Sequence, residues 1–396
     1  VLRYDYLDQP IDSKGIKQSN PDFSCISPGW EILNCEGLNL IYSKQNTMRF
    51  SFTSALATLL HFLSVAQGDI ILLPFVGKDQ SEVVMVYNRK TGKSTEWFYN
   101  ESEGRMVKAD LGFQLPANLG LTGGVMMRAY IGADGSEVIL AWSPTTGQSI
   151  SWYYDEAENK MMKSPEGYQL PQSIGLTGTI QMFPYIGSDG SEVVLCWETG
   201  TGKSVSFYYD NAAKKFQKSA PEYQLPQSTG ITGKIMMHPY IGKDGSEVVL
   251  VWDANSGKSV SFYFDNTEKK FRKAMDEFQL PSSPGVSGNV MMYPYIGNDK
   301  TEVVLVWSII NGASMMWYYD ELEKRFIKTK SDFQLPTNTG ITQNVMMVPF
   351  VEKNHDEVIY VWNSATGFSV NYYFDDKARK YTKSKEGFQL PANPLP

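Results

Sequence analysis

"GKIMMHPYIGKDGSEVVLVWDANSGKSVSFYFDNTEKKFRKAMDEFQLP", residues 233–281, reads as four short strands joined by turns. The first, Ile235 to Ile241, ends at a Gly-Lys-Asp-Gly turn. The second, Glu247 to Trp252, is apolar at nearly every position, so both of its faces need covering. After the glycine-containing loop "DANSGKS", Ser259 to Asp265 alternates small with aromatic side chains. The polar turn "NTEKK" then returns the chain into Phe271 to Lys273.

The unit recurs along the chain. Gln-Leu-Pro begins at Gln114, Gln169, Gln224, Gln279, Gln334 and Gln389, each 55 residues from the last. Glu82, Glu137, Glu192, Glu247, Glu302 and Glu357 keep the same step, as do the loop glycines from Gly92 to Gly367, with no insertion or deletion between them. Five of the first strands carry a mid-strand proline, at Pro74, Pro184, Pro239, Pro294 and Pro349. Proline has no N–H to give to a ladder, so this strand is expected at an edge. Six four-stranded units with an edge strand innermost predict an all-β, six-bladed β-propeller, whose stacked blades cover the apolar second strands. A linear β-solenoid is the competing architecture, although its repeats are usually shorter and need end caps. The 23 Tyr, 20 Phe and 9 Trp, with frequent Gly and Pro, suit short strands and turns.

Six units counted back from Pro396 begin at Gln67, directly after Ser64-Val65-Ala66. Upstream, "MRFSFTSALATLLHFLSVAQG" (48–68) has Arg49, an apolar run from Phe50 to Leu63 and small residues at the end, the layout of a secretory signal peptide and too short to span a membrane comfortably. The expected organisation is an upstream segment of no readable fold (1–47), a signal-like segment (48–66) and the propeller (67–396) of an extracellular protein. Two other readings compete: residues 23–66 as a degenerate seventh unit, giving a seven-bladed ring, or 53–66 as a helix lying on the domain.

The net charge of -7 is spread among interspersed acids and lysines, with no basic block to displace counterions from nucleic acid. Cys25, Cys35 and Cys196 form neither a disulfide framework nor a zinc motif, and His61, His238 and His355 lie far apart. No Asp-x-Asp-x-Asp-Gly calcium loop is present. Neither a metal nor a cofactor is expected.

Repeated loop residues are the first binding candidates: Gln114, Gln169, Gln224, Gln279 and Gln334, the serines from Ser94 to Ser369, and at the ends of the second strands Tyr87, Trp142, Trp197, Trp252, Trp307 and Trp362. An aromatic plane covers the C–H face of a sugar while amides and hydroxyls take its O–H groups. The same residues also suit closing blades and bonding loop backbone. The glutamate ring, Glu82 to Glu357, is a second candidate, for cations or ligand hydroxyls, and suits backbone bonding equally. A third is the one first-strand position that does not repeat: Leu73, Arg128, Phe183, His238, Tyr293 and Val348. An enzyme in a symmetric ring needs an asymmetric site, and Arg128, His238 and Tyr293 would supply one at the channel.

Six near-identical blades behind a signal-like segment resemble the propeller lectins, including the fungal fucose-binding type, over Gln67 to Pro396 and at the level of architecture. The resemblance implies a secreted protein with repeated sugar sites that binds glycans or a repetitive surface polymer multivalently. In that family each site combines Arg, Glu and an aromatic; here Glu and aromatics recur and no Arg does, so no site residue carries over. An enzyme and a protein-binding scaffold are the alternatives.

Overall fold

The computed structural model describes residues 30–35, 38–43, 68–77, 81–351 and 357–395. Between Ile70 and Lys383 the chain forms six antiparallel sheets of four strands, each made of consecutive strands. Blade one comprises Ile70–Val76, Glu82–Asn88, Lys93–Asn100 and Arg105–Lys108; blade four comprises Ile235–Ile241, Glu247–Asp253, Ser259–Asp265 and Lys270–Lys273. A three-residue 3-10 turn follows each fourth strand. The first strand is an edge in every sheet, as proline requires in five of them: Pro239 lies opposite Val249 with no third strand beyond it, and in blade two Ala129 holds the same place. The second strand is covered on both faces, and Val249, Leu250, Val251 and Trp252 are all buried.

Neighbouring blades are tied by a reciprocal pair of bonds. In blade three, Trp197 Nε1 donates to the Ile235 carbonyl of blade four at 3.1 Å, while the Ile235 N–H donates back to the Thr199 carbonyl at 2.7 Å. Trp142, Trp252 and Trp307 make the same indole bond to Ile180, Val290 and Val345. On the periphery, an aromatic of each 3-10 turn stacks on the next blade, as Tyr223 does on Phe264.

The ring closes without strand exchange. The Ile70 N–H of blade one donates to the Ser364 carbonyl of blade six at 2.8 Å, Trp97 Nε1 donates to the Pro394 carbonyl at 3.2 Å, and Phe388 stacks on Tyr99 with centroids 4.1 Å apart. Because blade six bonds blade one directly, no seventh blade intervenes and the chain is not a linear solenoid. Residues Trp30–Cys35 and Leu38–Ser43, inside the segment read as upstream, pair as an antiparallel hairpin with Leu33 opposite Leu40. The signal-like stretch, the alternative helix over 53–66, Gln67, Cys25, His61 and His355 lie outside the described residues. Among the described residues no helix is long and apolar enough to cross a membrane.

Candidate functional site between blades one and two

The repeated aromatics are fully buried. Tyr87, Trp142, Trp197, Trp252, Trp307 and Trp362 lie inside the blade interfaces, where no ring face is open to a ligand. The repeated glutamines serve the backbone. Gln224 Oε1 accepts from the Ser206 N–H at 2.8 Å, while its Nε2 donates to the Ser219 carbonyl at 2.8 Å and the Ser206 carbonyl at 3.3 Å. Gln169, Gln279 and Gln334 do the same in their blades, and so does Gln389. Gln114 makes none of these bonds, and in blade one the Leu115 N–H donates instead to Ser94 Oγ at 2.7 Å. The glutamates reach across blades as backbone acceptors: Glu192 takes the Ala133 N–H at 2.8 Å, Glu247 that of Ser188 at 3.0 Å, and Glu302 that of Lys243 at 2.8 Å. Burial raises each of these carboxyls above the usual range, and the N–H bond works against that rise.

The non-repeating residues do come together at the axis. Arg128 places its guanidinium carbon 4.0 Å from the centre of the Phe183 ring; Phe183 meets His238 edge-on at 4.5 Å, and His238 meets Tyr293 at 4.4 Å. All four are buried. Burial lowers Arg128 to about 9, against the pull of the Tyr293 phenol, and holds His238 well below its ordinary value, assisted by Arg128. Arg128 thus stays charged at neutrality, and the ring face of Phe183 offsets part of its desolvation. Among the described residues the row is a buried plug.

Space for a ligand occurs elsewhere. A cleft of about 1000 Å³ lies between blades one and two, at the end that carries the Gly-x-Asp-Gly turns and the turns between third and fourth strands. Sequence reasoning placed its ligand residues on the loops at the opposite end. Phe98, Phe113, Tyr153 and Tyr154 supply aromatic surface, and Phe113 stacks on Tyr154 with centroids 4.3 Å apart. Among its lining are Glu96, Asp110, Asp134, Glu137, Asp155 and Glu156, against one basic side chain, Lys108.

Glu96 stands out within this cleft. It is 4% exposed, and among the described residues no hydrogen bond reaches its carboxyl group. Burial, followed by the charge of Glu137, pushes its pKa up to about 8, so it keeps its proton at neutrality. Asp155 is the opposite case. Its Oδ1 accepts the Glu158 N–H at 3.1 Å and the Ala157 N–H at 2.9 Å, its Oδ2 accepts the Tyr153 hydroxyl at 3.1 Å, and its carboxyl is held below the usual range. Carboxylic acid and carboxylates therefore face one pocket, able both to donate and to accept hydrogen bonds.

Reading the sequence for what repeats misses Glu96. The other blades carry Ser151, Ser206, Ser261, Met316 and Asn371 at that strand position. One ionisable residue in an otherwise neutral column was the available signal.

No protein-family model matches the chain, and no curated protein matches it in sequence. Solved structures with a similar shape include fructan 1-exohydrolase IIa from Cichorium intybus, at 8% identity over 82% of this chain and 86% of that one, with a TM-score of 0.43. An ulvan lyase of polysaccharide lyase family PL25 is similar at 11% identity over 84% of each chain, with a TM-score of 0.43. TolB from Acinetobacter baumannii is similar at 9% identity over 77% and 64%, with a TM-score of 0.37. Likenesses at this level say nothing of activity.

Proposed function

We propose that the protein is a carbohydrate-binding propeller that takes its glycan in the cleft between blades one and two. The observation that supports this reading is the joint lining of the cleft: the Phe113–Tyr154 stack and Phe98 beside Asp134, Glu137 and the protonated Glu96. A sugar ring has an apolar C–H face and an edge of hydroxyls, and this combination serves both. Carboxylate acceptors make the stronger, charge-assisted bonds to such hydroxyls. The Trp residues are buried and Gln169, Gln224, Gln279 and Gln334 are taken up by the backbone, so the reading takes one site per chain in place of a ring of sites. Multivalent capture of a repetitive polymer then comes from several chains on one polymer. The signal-like stretch 48–66 supports a secreted, lectin-like role, in which the glycans met are extracellular ones.

The test is hydrogen exchange during titration with a panel of neutral, acidic and amino sugars. A bound sugar is expected to protect Asp134–Ser136 and Asp155–Ala157 and to leave their counterparts Asp189–Ser191 and Asp210–Ala212 unchanged. Protection spread equally over all blades would overturn the single site, and no protection by any sugar would overturn carbohydrate binding.

A further inference from the structure

The acidity of this cleft has no parallel at the other interfaces. Asp134, Glu137 and Asp155 have acidic counterparts between blades two and three, in Asp189, Glu192 and Asp210. Glu96 and Asp110 recur as an acid in no other blade, their counterparts being Ser151, Ser206, Ser261, Met316 and Asn371, and Pro165, Ala220, Met275, Lys330 and Lys385, whereas Glu156 recurs as Glu101, Glu321 and Asp376. Two acids beyond the pattern have therefore collected around one cavity, and one of them, Glu96, is buried with no hydrogen bond to its carboxyl group among the described residues.

The resulting field selects the charge of the ligand. Uronic or sulfated sugars meet like charge in a low-dielectric wall, which is costly. Neutral sugars find hydroxyl acceptors but leave Glu96 as it is, an un-ionised acid with an unused acceptor. A ligand ammonium supplies what is missing: three N–H donors and the counter-charge that lets Glu96 ionise beside Glu137. The aromatic faces of Phe98, Phe113 and Tyr154 favour a cation as well.

We propose, resting on the carbohydrate reading above, that the cleft recognises an oligosaccharide bearing protonated primary amines, a de-N-acetylated amino sugar, with an ammonium seated against Glu96 and Glu137. Binding is then linked to protons. The ionisable groups that line the cleft with Glu96 are Lys108 and Asp110 from blade one and Asp134, Glu137, Tyr153, Tyr154, Asp155 and Glu156 from blade two. Lys108 is the one basic side chain among them, so a ligand ammonium adds the field that drives the proton from Glu96.

Calorimetry on the full chain, with glucosamine tetramer and its fully N-acetylated counterpart, tests the idea. It is run at about pH 5.5, where the sugar amines already carry their protons and Glu96 keeps its own, in two buffers of different ionisation enthalpy. The amine form is expected to bind at least about tenfold tighter, equivalent to about 1.4 kcal/mol, and to release a fraction of a proton approaching one. Glu96→Gln, and independently Glu96→Ser, the residue of blades two, three and four, should abolish that release and bring the amine form close to the acetylated one. Equal or tighter binding of the acetylated tetramer, or tighter binding without proton release, contradicts the ammonium assignment and leaves carbohydrate binding standing. If neither tetramer binds while the panel finds another sugar, the assignment fails alone; if no sugar binds, both readings fail.

Discussion

The interface between blades three and four and that between blades one and two come from the same 55-residue pattern, yet the first is closed by the ties of that pattern while the second lacks them and borders an open cleft. At the closed joint, Trp197 ties Ile235, Gln224 clamps the third strand of blade three, and the buried strand position holds Ser206. At the open joint all three differ: Tyr87 has no indole to donate, Gln114 leaves its clamp unmade, and Glu96 replaces the serine. Repetition builds the ring, and departure from repetition at one joint puts an acid, Glu96, into the lining of the cleft.

Breaking the closed joint should have the largest effect. Trp197→Ala removes a fully buried indole and its bond to Ile235, and a loss of ~3–5 kcal/mol in denaturant unfolding is expected. Tyr87→Ala leaves a cavity too but breaks no indole tie, and should cost less.

The open joint should carry the larger pH dependence, since Glu247 at the closed joint is also raised by burial but has the Ser188 N–H working against that rise, and Glu96 has no such bond. Glu96 sits near 8 in the folded protein and near 4.5 when unfolded, so between those values the unfolded chain has lost a proton that the native one keeps. Its contribution is fully present below 4.5 and is lost as pH rises through 8, so stability falls across that window, by roughly 2–4 kcal/mol. Glu96→Ser should flatten the decline in a series of chemical melts from acid to alkaline pH. A decline of equal size in the variant would place its origin elsewhere.

Gln224→Ala leaves the Ser206 N–H and the Ser219 carbonyl without their partner, and about 1–3 kcal/mol should be lost. Gln114→Ala, which removes no such clamp, should be close to neutral by the same thermal assay.

The smallest change expected is a gain. Lys300 holds φ of 65° at the turn position where blades two to four have Gly135, Gly190 and Gly245 at φ of 82°. Lys300→Gly relieves a side chain from the left-handed region and should raise stability by about 1 kcal/mol or less. A fall in melting temperature would show that the lysine side chain supports the turn.

The fold was legible because a propeller writes itself as a period: proline on the inner strand, an unbroken apolar second strand, glycine in each loop. The site was less so, for a physical reason. Trp and Gln each have an apolar or flexible body and a polar tip, which serves a sugar or a neighbouring blade equally well, and sequence does not tell which side of an interface they face. Glu192, Glu247, Glu302 and Glu357 turned out to be backbone acceptors, one of the two readings their position allowed. Arg128, His238 and Tyr293 did assemble, but into the axial plug, since a six-fold ring brings its inner side chains close enough to fill the channel. Glu96 was visible only as an exception within its column.

The central claim is that this nearly symmetric ring binds at one place, and binding stoichiometry tests it most directly. Calorimetric titration with an amino-sugar oligomer is predicted to saturate at one ligand per chain, with Asp134→Asn weakening it and its counterpart Asp244→Asn leaving it unchanged. Saturation at several equivalent ligands per chain, with the two substitutions indistinguishable, would contradict the account.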